Sequence, residues 1–349
     1  MLEIKAKITG LNYNPKFSFK LPLFNLDQLE DSLKKTCFRL QINNTSVLTV
    51  SRWVSPKRTR SYPYVNVFKT LGYNDGKRIT IIPVIKDEGI KGDRDFIQWD
   101  TISMMSLLGV YVILAYYNKA KPSVKNGKIT NQEFDYFYIH DQLKKVNNFK
   151  LDALHWNMNQ ASKIDYIMEL AKKSYLKISF QTNIELHNVK IIDDRIKNFK
   201  LDLDNFKEIS RSSAILAQKR ESVTIQPKEN TDISSKGIIT ITNFLKGKYY
   251  LTVDEALIKD GKVLLIEAKH TKSDKLPSLN DIIDGVLKLI LYCNIEELTI
   301  NNKVYSFTPI LKLTANKPLQ SIPLKKKEKD LLEVLKNESE ANGFELELV

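Results

Sequence analysis

The stretch Val253-Asp254-Glu255-Ala256-Leu257-Ile258-Lys259-Asp260-Gly261-Lys262-Val263-Leu264-Leu265-Ile266-Glu267-Ala268-Lys269 decides the fold of the C-terminal part of this chain. Two apolar segments separated by Asp260-Gly261 read as a β-hairpin, because Asp-Gly accepts the positive φ angles that a two-residue turn between twisted strands requires. Side chains alternate across a strand, so Glu267 and Lys269, two apart, project from one face. Asp254, on the partner strand, reaches the same point. Val263-Leu264-Leu265-Ile266 precede the glutamate without alternation, the pattern of a strand buried on both faces. Glu and Lys rarely go inside unless paired, so a charged pair at the end of such a strand points to chemistry. On an amphipathic strand the same pair would be a solvent-facing ion pair of little consequence.

Two carboxylates converging on one spot suit magnesium, which takes hard oxygen ligands and keeps the rest of its shell as water. A lysine beside them holds or deprotonates a water and offsets charge that develops on a phosphate oxygen. Asp254, twelve intervening residues, then Glu267-x-Lys269 after an apolar run resembles the PD-(D/E)XK nuclease superfamily, which includes most type II restriction endonucleases. The similarity spans Tyr249 to Thr314, and Val253 stands where the family has proline. It implies a restriction-endonuclease-like mixed sheet flanked by helices and Mg2+-dependent hydrolysis of phosphodiester bonds. Asp254, Glu267 and Lys269 take the catalytic positions, Asp254 and Glu267 as metal ligands, with a helix packed behind the motif strand. The stretch from Ser278 to Cys293 reads as that helix, its apolar face formed by Ile282, Val286, Leu289, Ile290 and Tyr292. Many relatives add a glutamate from a preceding helix; Glu221 and Glu229 are both candidates.

Composition agrees with a nucleic-acid partner: 54 Lys+Arg against 41 Asp+Glu give a formal net charge of +13, the balance expected of a phosphate-binding protein. Heavy use of Lys, Asn and Ile gives an alternative source for it, an A+T-rich coding sequence and a solvated lysine surface. From Ser51 to Tyr64, Arg52, Lys57, Arg58 and Arg60 alternate with hydroxyls and aromatics, the side chains that bind phosphates, guanine edges and stacked bases. Lys272 and Lys275 follow the motif strand and are placed to grip a DNA backbone. The loop Asp87 to Asp95 holds Asp87, Glu88, Asp93 and Asp95 and is the rival metal site; the alternative is a structural loop with Arg94 paired to its acids. No glycine loop that would cradle a nucleotide phosphate is evident, so ATP use is not implied.

At 349 residues and 42% hydrophobic content the chain has material for two cores. The expected class is α/β (mixed α+β): an N-terminal α+β DNA-recognition domain, residues 1–125, and a nuclease domain with a C-terminal helix, residues 126–349. Strands are expected over Leu2 to Thr9, Lys16 to Phe24, Arg78 to Ile85, Val110 to Tyr117 and Lys177 to Leu186. Helices are expected over Asn25 to Cys37, Trp99 to Leu108, Ala161 to Tyr175 and, as one or two, Asp202 to Val223. Asn118 to Asn131 reads as a loop or connection. Cys37 and Cys293 form no metal-ligand spacing, and with no secretory leader or span of about 18–20 apolar residues a reduced, cytoplasmic setting is expected. The expectation is a type II restriction enzyme, a site-specific Mg2+-dependent endonuclease on double-stranded DNA. It would act as a homodimer on a palindromic site, with a cognate DNA methyltransferase as its genetic partner. Two alternatives stay open: a repair, recombination or anti-phage nuclease acting on branched or single-stranded DNA, and a non-catalytic DNA-binding protein.

Overall fold

The computed structural model describes residues 2–56, 62–124, 127–201 and 235–349. The chain is mixed α/β and divides into two compact units, Met1–Phe19 with Arg211–Val349, and Lys20–Ser210. The boundary expected after residue 125 therefore falls inside the second unit. Strand β1 (Leu2–Ile8) shows why. It pairs in parallel with residues 237–243, a partnership between distant segments that no local composition announces.

In the unit Lys20–Ser210, β2 (Leu23–Asn25), the one-turn helix α1 (Leu29–Ser32), β3 (Cys37–Asn43), β4 (Ser46–Arg52), α2 (Tyr62–Leu71) and β5 (Arg78–Pro83) come first. They are followed by β6 (Ile85–Asp87), β7 (Arg94–Phe96), α3 (Trp99–Leu107), β8 (Tyr111–Ala115), β9 (Tyr117–Pro122) and β10 (Ile129–Phe134). Helices α4 (Tyr136–Asn148), α5 (Ala153–Ala161), α6 (Ile164–Thr182) and α7 (Lys190–Leu201) complete it. A five-stranded sheet runs β2-β3-β4-β5-β8. Helices α2 and α3 carry the chain between the parallel strands β4, β5 and β8, whose near-continuous apolar character fits burial on both faces. Edge strand β8 is covered by α5: Asn157 Oδ1 accepts from Val112 N at 2.7 Å and its Nδ2 donates to Val110 O at 2.9 Å. These amides substitute for a further strand and close the edge.

Four expectations change here. Lys16 to Phe24 is strand only at β2, and the helix expected over Asn25 to Cys37 is a 3-10 turn plus α1, with Cys37 already in β3. Asn118 to Asn131 contributes to the antiparallel ribbon β9–β10, anchored where Tyr117 stacks on Phe134 with centroids 4.5 Å apart. Lys177 to Leu186 is no strand. Helix α6 continues to Thr182 and stops at left-handed Asn183, because buried Ile167, Ala171, Tyr175 and Ile178 keep helical spacing.

The other unit adds β11 (Ser235–Asn243), β12 (Lys248–Lys259), β13 (Lys262–His270), α8 (Leu279–Cys293), β14 (Glu297–Ile300), β15 (Lys303–Val304), β16 (Ser306–Thr314), α9 (Lys326–Asn342) and β17 (Glu345–Leu348). Its sheet runs β15-β14-β1-β11-β12-β13-β16-β17. Strands β11, β12 and β13 form an antiparallel meander, and β16 lies parallel to β13. Only Tyr305 separates β15 from β16, so their ends lie within about 7 Å at the span of an extended chain. In a flat sheet the six strand steps between them would measure roughly 29 Å. The sheet is therefore strongly curled. Helix α8 packs on β13 and β16 and buries nine residues, from Ile282 to Tyr292, the burial expected of a helix that is apolar almost all round.

Candidate active site

The turn at Asp260-Gly261 has φ of 51° and 76°, the two positive angles that the sequence demanded. From it the β12–β13 ladder runs as far as the pair Glu255–Ile266. At the next pair a side chain takes over: Asp254 Oδ2 accepts a hydrogen bond from Ala268 N at 2.9 Å. The register of β11 also shifts between Ser235 and Gly237, opposite Ala256 and Val253. An extra residue in a strand re-aims its neighbours, and here the irregularity flanks Asp254.

Glu267 sits at this fork and is fully buried. Its Oε1 lies 2.8 Å from Lys269 Nζ and its Oε2 lies 2.8 Å from Lys288 Nζ. Lys269 Nζ also donates to Asp284 Oδ2 at 2.6 Å, and Lys288 Nζ to the Thr252 carbonyl at 3.3 Å. Asp284 and Lys288 are one turn apart on α8, a spacing that puts both on one face. Gly285 lets that face approach closely. A Cβ there would stand 2.7 Å from Leu311 Cδ1 and 3.2 Å from Lys269 Cε.

The electrostatics follow from this packing. Burial pushes the Glu267 carboxyl above its usual range, Lys288 and Lys269 pull it down, and Asp254 opposes them. Burial works against the charge on Lys269 and on Lys288, but the neighbouring carboxylates, Glu267 foremost, outweigh it and both are raised. The net effect on Glu267 is upward, with burial the largest cause, and an ammonium at 2.8 Å from each oxygen offsets part of it.

Oε1 of Glu267 is a buried oxygen without an aligned hydrogen bond; the Lys269 ammonium beside it is a charge contact. A carboxylate oxygen whose neighbour is that ammonium at 2.8 Å, with Asp254 on the adjoining strand, offers the hard donors that a divalent cation takes. No group of three His, Cys, Asp or Glu among the described residues is gathered to hold an ion alone. Magnesium would keep much of its water shell, as it ordinarily does with one or two carboxylates.

The three side chains expected at one point, Asp254, Glu267 and Lys269, are thus brought together. Asp284 and Lys288 belong with them and were not anticipated. Their signal was available in the sequence: past its first turn they are the only charges in Leu279–Cys293.

Lys272 and Lys275 are exposed in the segment after β13. Arg52 ends β4 in the other unit, where its Nε donates to the Lys35 carbonyl at 3.3 Å. Lys57, Arg58, Arg60, Glu221, Glu229 and the segment Asp202 to Val223 lie outside the described residues. In the rival acidic loop, Asp87 is buried, with His187 Nδ1 at 2.8 Å, Gly89 N at 2.9 Å and Arg94 Nη1 at 3.9 Å. Asp95 accepts instead from Ser55 Oγ at 2.7 Å. These acids face separate partners, with Arg94 paired to Asp87.

No family model, curated protein or solved structure matches the chain. No helix among the described residues is long and apolar enough to cross a membrane; Ile102 to Tyr117 divides into α3, β8 and the start of β9.

Proposed function

We propose that this chain is a Mg2+-dependent endonuclease of the PD-(D/E)XK superfamily that hydrolyses phosphodiester bonds in double-stranded DNA, as a type II restriction enzyme does. The observation that carries the proposal is the fork at Asp254 and Glu267. There a strand ladder ends and two carboxylates and a lysine meet on a buried strand end. A three-stranded meander, a helix packed on it and a parallel fourth strand support the restriction-endonuclease-like reading of the sheet.

A bound magnesium ion would supply a polarised water as nucleophile and charge stabilisation for the phosphate and the leaving oxygen. Asp254 and Glu267 would hold it. Lys269 orients the water and faces the developing charge. It acts as an ammonium rather than a base, because two carboxylates at 2.8 and 2.6 Å keep it protonated and an effective base needs a pKa near the working pH. Lys272 and Lys275 stand on the segment leaving the fork, where they would meet the DNA backbone. The functional assembly would be a homodimer if the recognised site is palindromic.

Incubating the purified chain with plasmid and phage DNA, with Mg2+ and with EDTA, tests the proposal. Discrete fragments with reproducible ends, formed only with the metal, are expected. Intact DNA across a broad panel of substrates and divalent ions would overturn it.

A further inference from the structure

We propose that Lys288 is a positioning residue whose ammonium fills the cation position behind Glu267, so that the centre takes one divalent ion and not two. The proposal rests on the nuclease reading above and specifies how its metal is held.

The cradle around Lys288 Nζ is made of oxygens. Glu267 Oε2 lies at 2.8 Å and the Thr252 carbonyl at 3.3 Å, and Asp254 acts on the same ammonium through space. Carboxylate and carbonyl oxygens are the donors that a hard divalent cation takes. Here a lysine from α8 has taken them. Lys288 is held in place from both sides: its helix is buried almost throughout, and Gly285 lets that helix lie against β16 and the stem of Lys269. The two oxygens of Glu267 have different lysines. Oε2 is hydrogen-bonded to Lys288, while Oε1 lacks an aligned hydrogen bond and has only the Lys269 ammonium at 2.8 Å beside it, the oxygen that would turn to a metal.

Charge counting gives the same answer. Asp254, Glu267 and Asp284 against Lys269 and Lys288 leave one net negative charge, three carboxylates against two ammonium groups. One Mg2+ brings the centre to one positive charge, which a single phosphodiester neutralises. A second Mg2+ would leave two unbalanced positive charges in a largely buried site, where uncompensated charge is costly. Two-metal sites place both ions about 3.5–4 Å apart. In this chain an ammonium stands where the second ion would, and it acts through Glu267 rather than on the substrate.

Mn2+ is the probe, titrated into the full chain without DNA and followed by calorimetry and by the electron paramagnetic resonance of the free ion. The wild type is expected to bind one Mn2+. Lys288→Met, which keeps the stem and removes the charge, is expected to bind a second ion in the vacated cradle, and Lys288→Arg to return the count to one. Circular dichroism checks that each variant is folded. The wild-type count needs no variant, so it decides even if Lys288→Met does not fold. Two ions bound by the wild type, with DNA cut normally, overturn this proposal and leave the nuclease reading standing. A Lys288→Met protein that matches the wild type in count and, within twofold, in affinity overturns it as well. No Mn2+ uptake and no cleavage by the wild type remove both.

Discussion

The pair Glu267–Lys288 offers the sharpest test of how the site is built, because its two charges have different surroundings from those of an ordinary surface pair. Glu267 is fully buried and the Lys288 side chain is 22% exposed. Removing one partner of a buried pair costs about 3–5 kcal/mol, against roughly 0–1 kcal/mol for an exposed one. Glu267→Gln keeps the shape and leaves two ammonium groups short of a counter-charge; Lys288→Met leaves Oε2 without its donor. In a unit of this size each kcal/mol moves Tm by about 2–4 °C, so either single variant should melt roughly 6–20 °C lower in scanning calorimetry without metal. The double variant removes both charges. It should lose less than the sum of the singles, with a coupling of about 2–3 kcal/mol at the upper end of what contacting residues show. Additive losses, or single losses below about 1 kcal/mol, would mean that the pair behaves as though solvated and would refute the buried ion network.

The remaining predictions concern chemistry and contacts. Asp254→Asn, which keeps an acceptor for Ala268 N, and Glu267→Gln should each abolish cleavage while gel-shift affinity for DNA is largely kept; normal cutting by either removes that residue from the centre. Mg2+ at a hundredfold its Kd should stabilise the wild type by about 2.7 kcal/mol and leave the melting of Asp254→Asn nearly unchanged; equal gains in both would place the ion elsewhere. Replacing Lys272 and Lys275 by Ala should weaken DNA binding and lower the slope of log K against log salt by about 2. An unchanged slope would return that segment to a solvated surface. Replacing Arg58 and Arg60 together should flatten the same slope if they contact phosphates, measured by fluorescence anisotropy.

Local signals in the sequence translated well into local structure. Asp260-Gly261 demanded a two-residue turn and the chain makes it, and Ser278 caps α8 by accepting from Asp281 N. What failed was arithmetic over distance. Nothing near Leu2–Ile8 states that this strand pairs with residues 237–243, and nothing near Tyr305 states that the sheet must curl. The errors at Lys177 to Leu186 and Asn118 to Asn131 share another cause. Ile178 and Phe180 favour strand by propensity, and lysine with asparagine favours loop, but in both places tertiary contacts overrode composition.

The candidate site was legible along its strands and not along its helix, and the reason lies in which question each pattern answers. Glu267 and Lys269 were found because a charge at the end of an apolar strand is anomalous there. Asp284 and Lys288 are anomalous by the same rule, two charges one turn apart in a helix whose other residues beyond the first turn are uncharged. An apolar-face reading of α8 asks only which side meets the core, and a helix buried almost throughout beyond its first turn leaves little solvent surface to which charges could be assigned. For such a helix every charge past the first turn must find a partner inside. Lys288 finds Glu267 and Asp284 finds Lys269, so the two anomalies, one on β13 and one on α8, neutralise each other. In sequences with an apolar strand ending in Glu-x-Lys and a following helix apolar all round, charges within that helix therefore point to the same site as the strand motif.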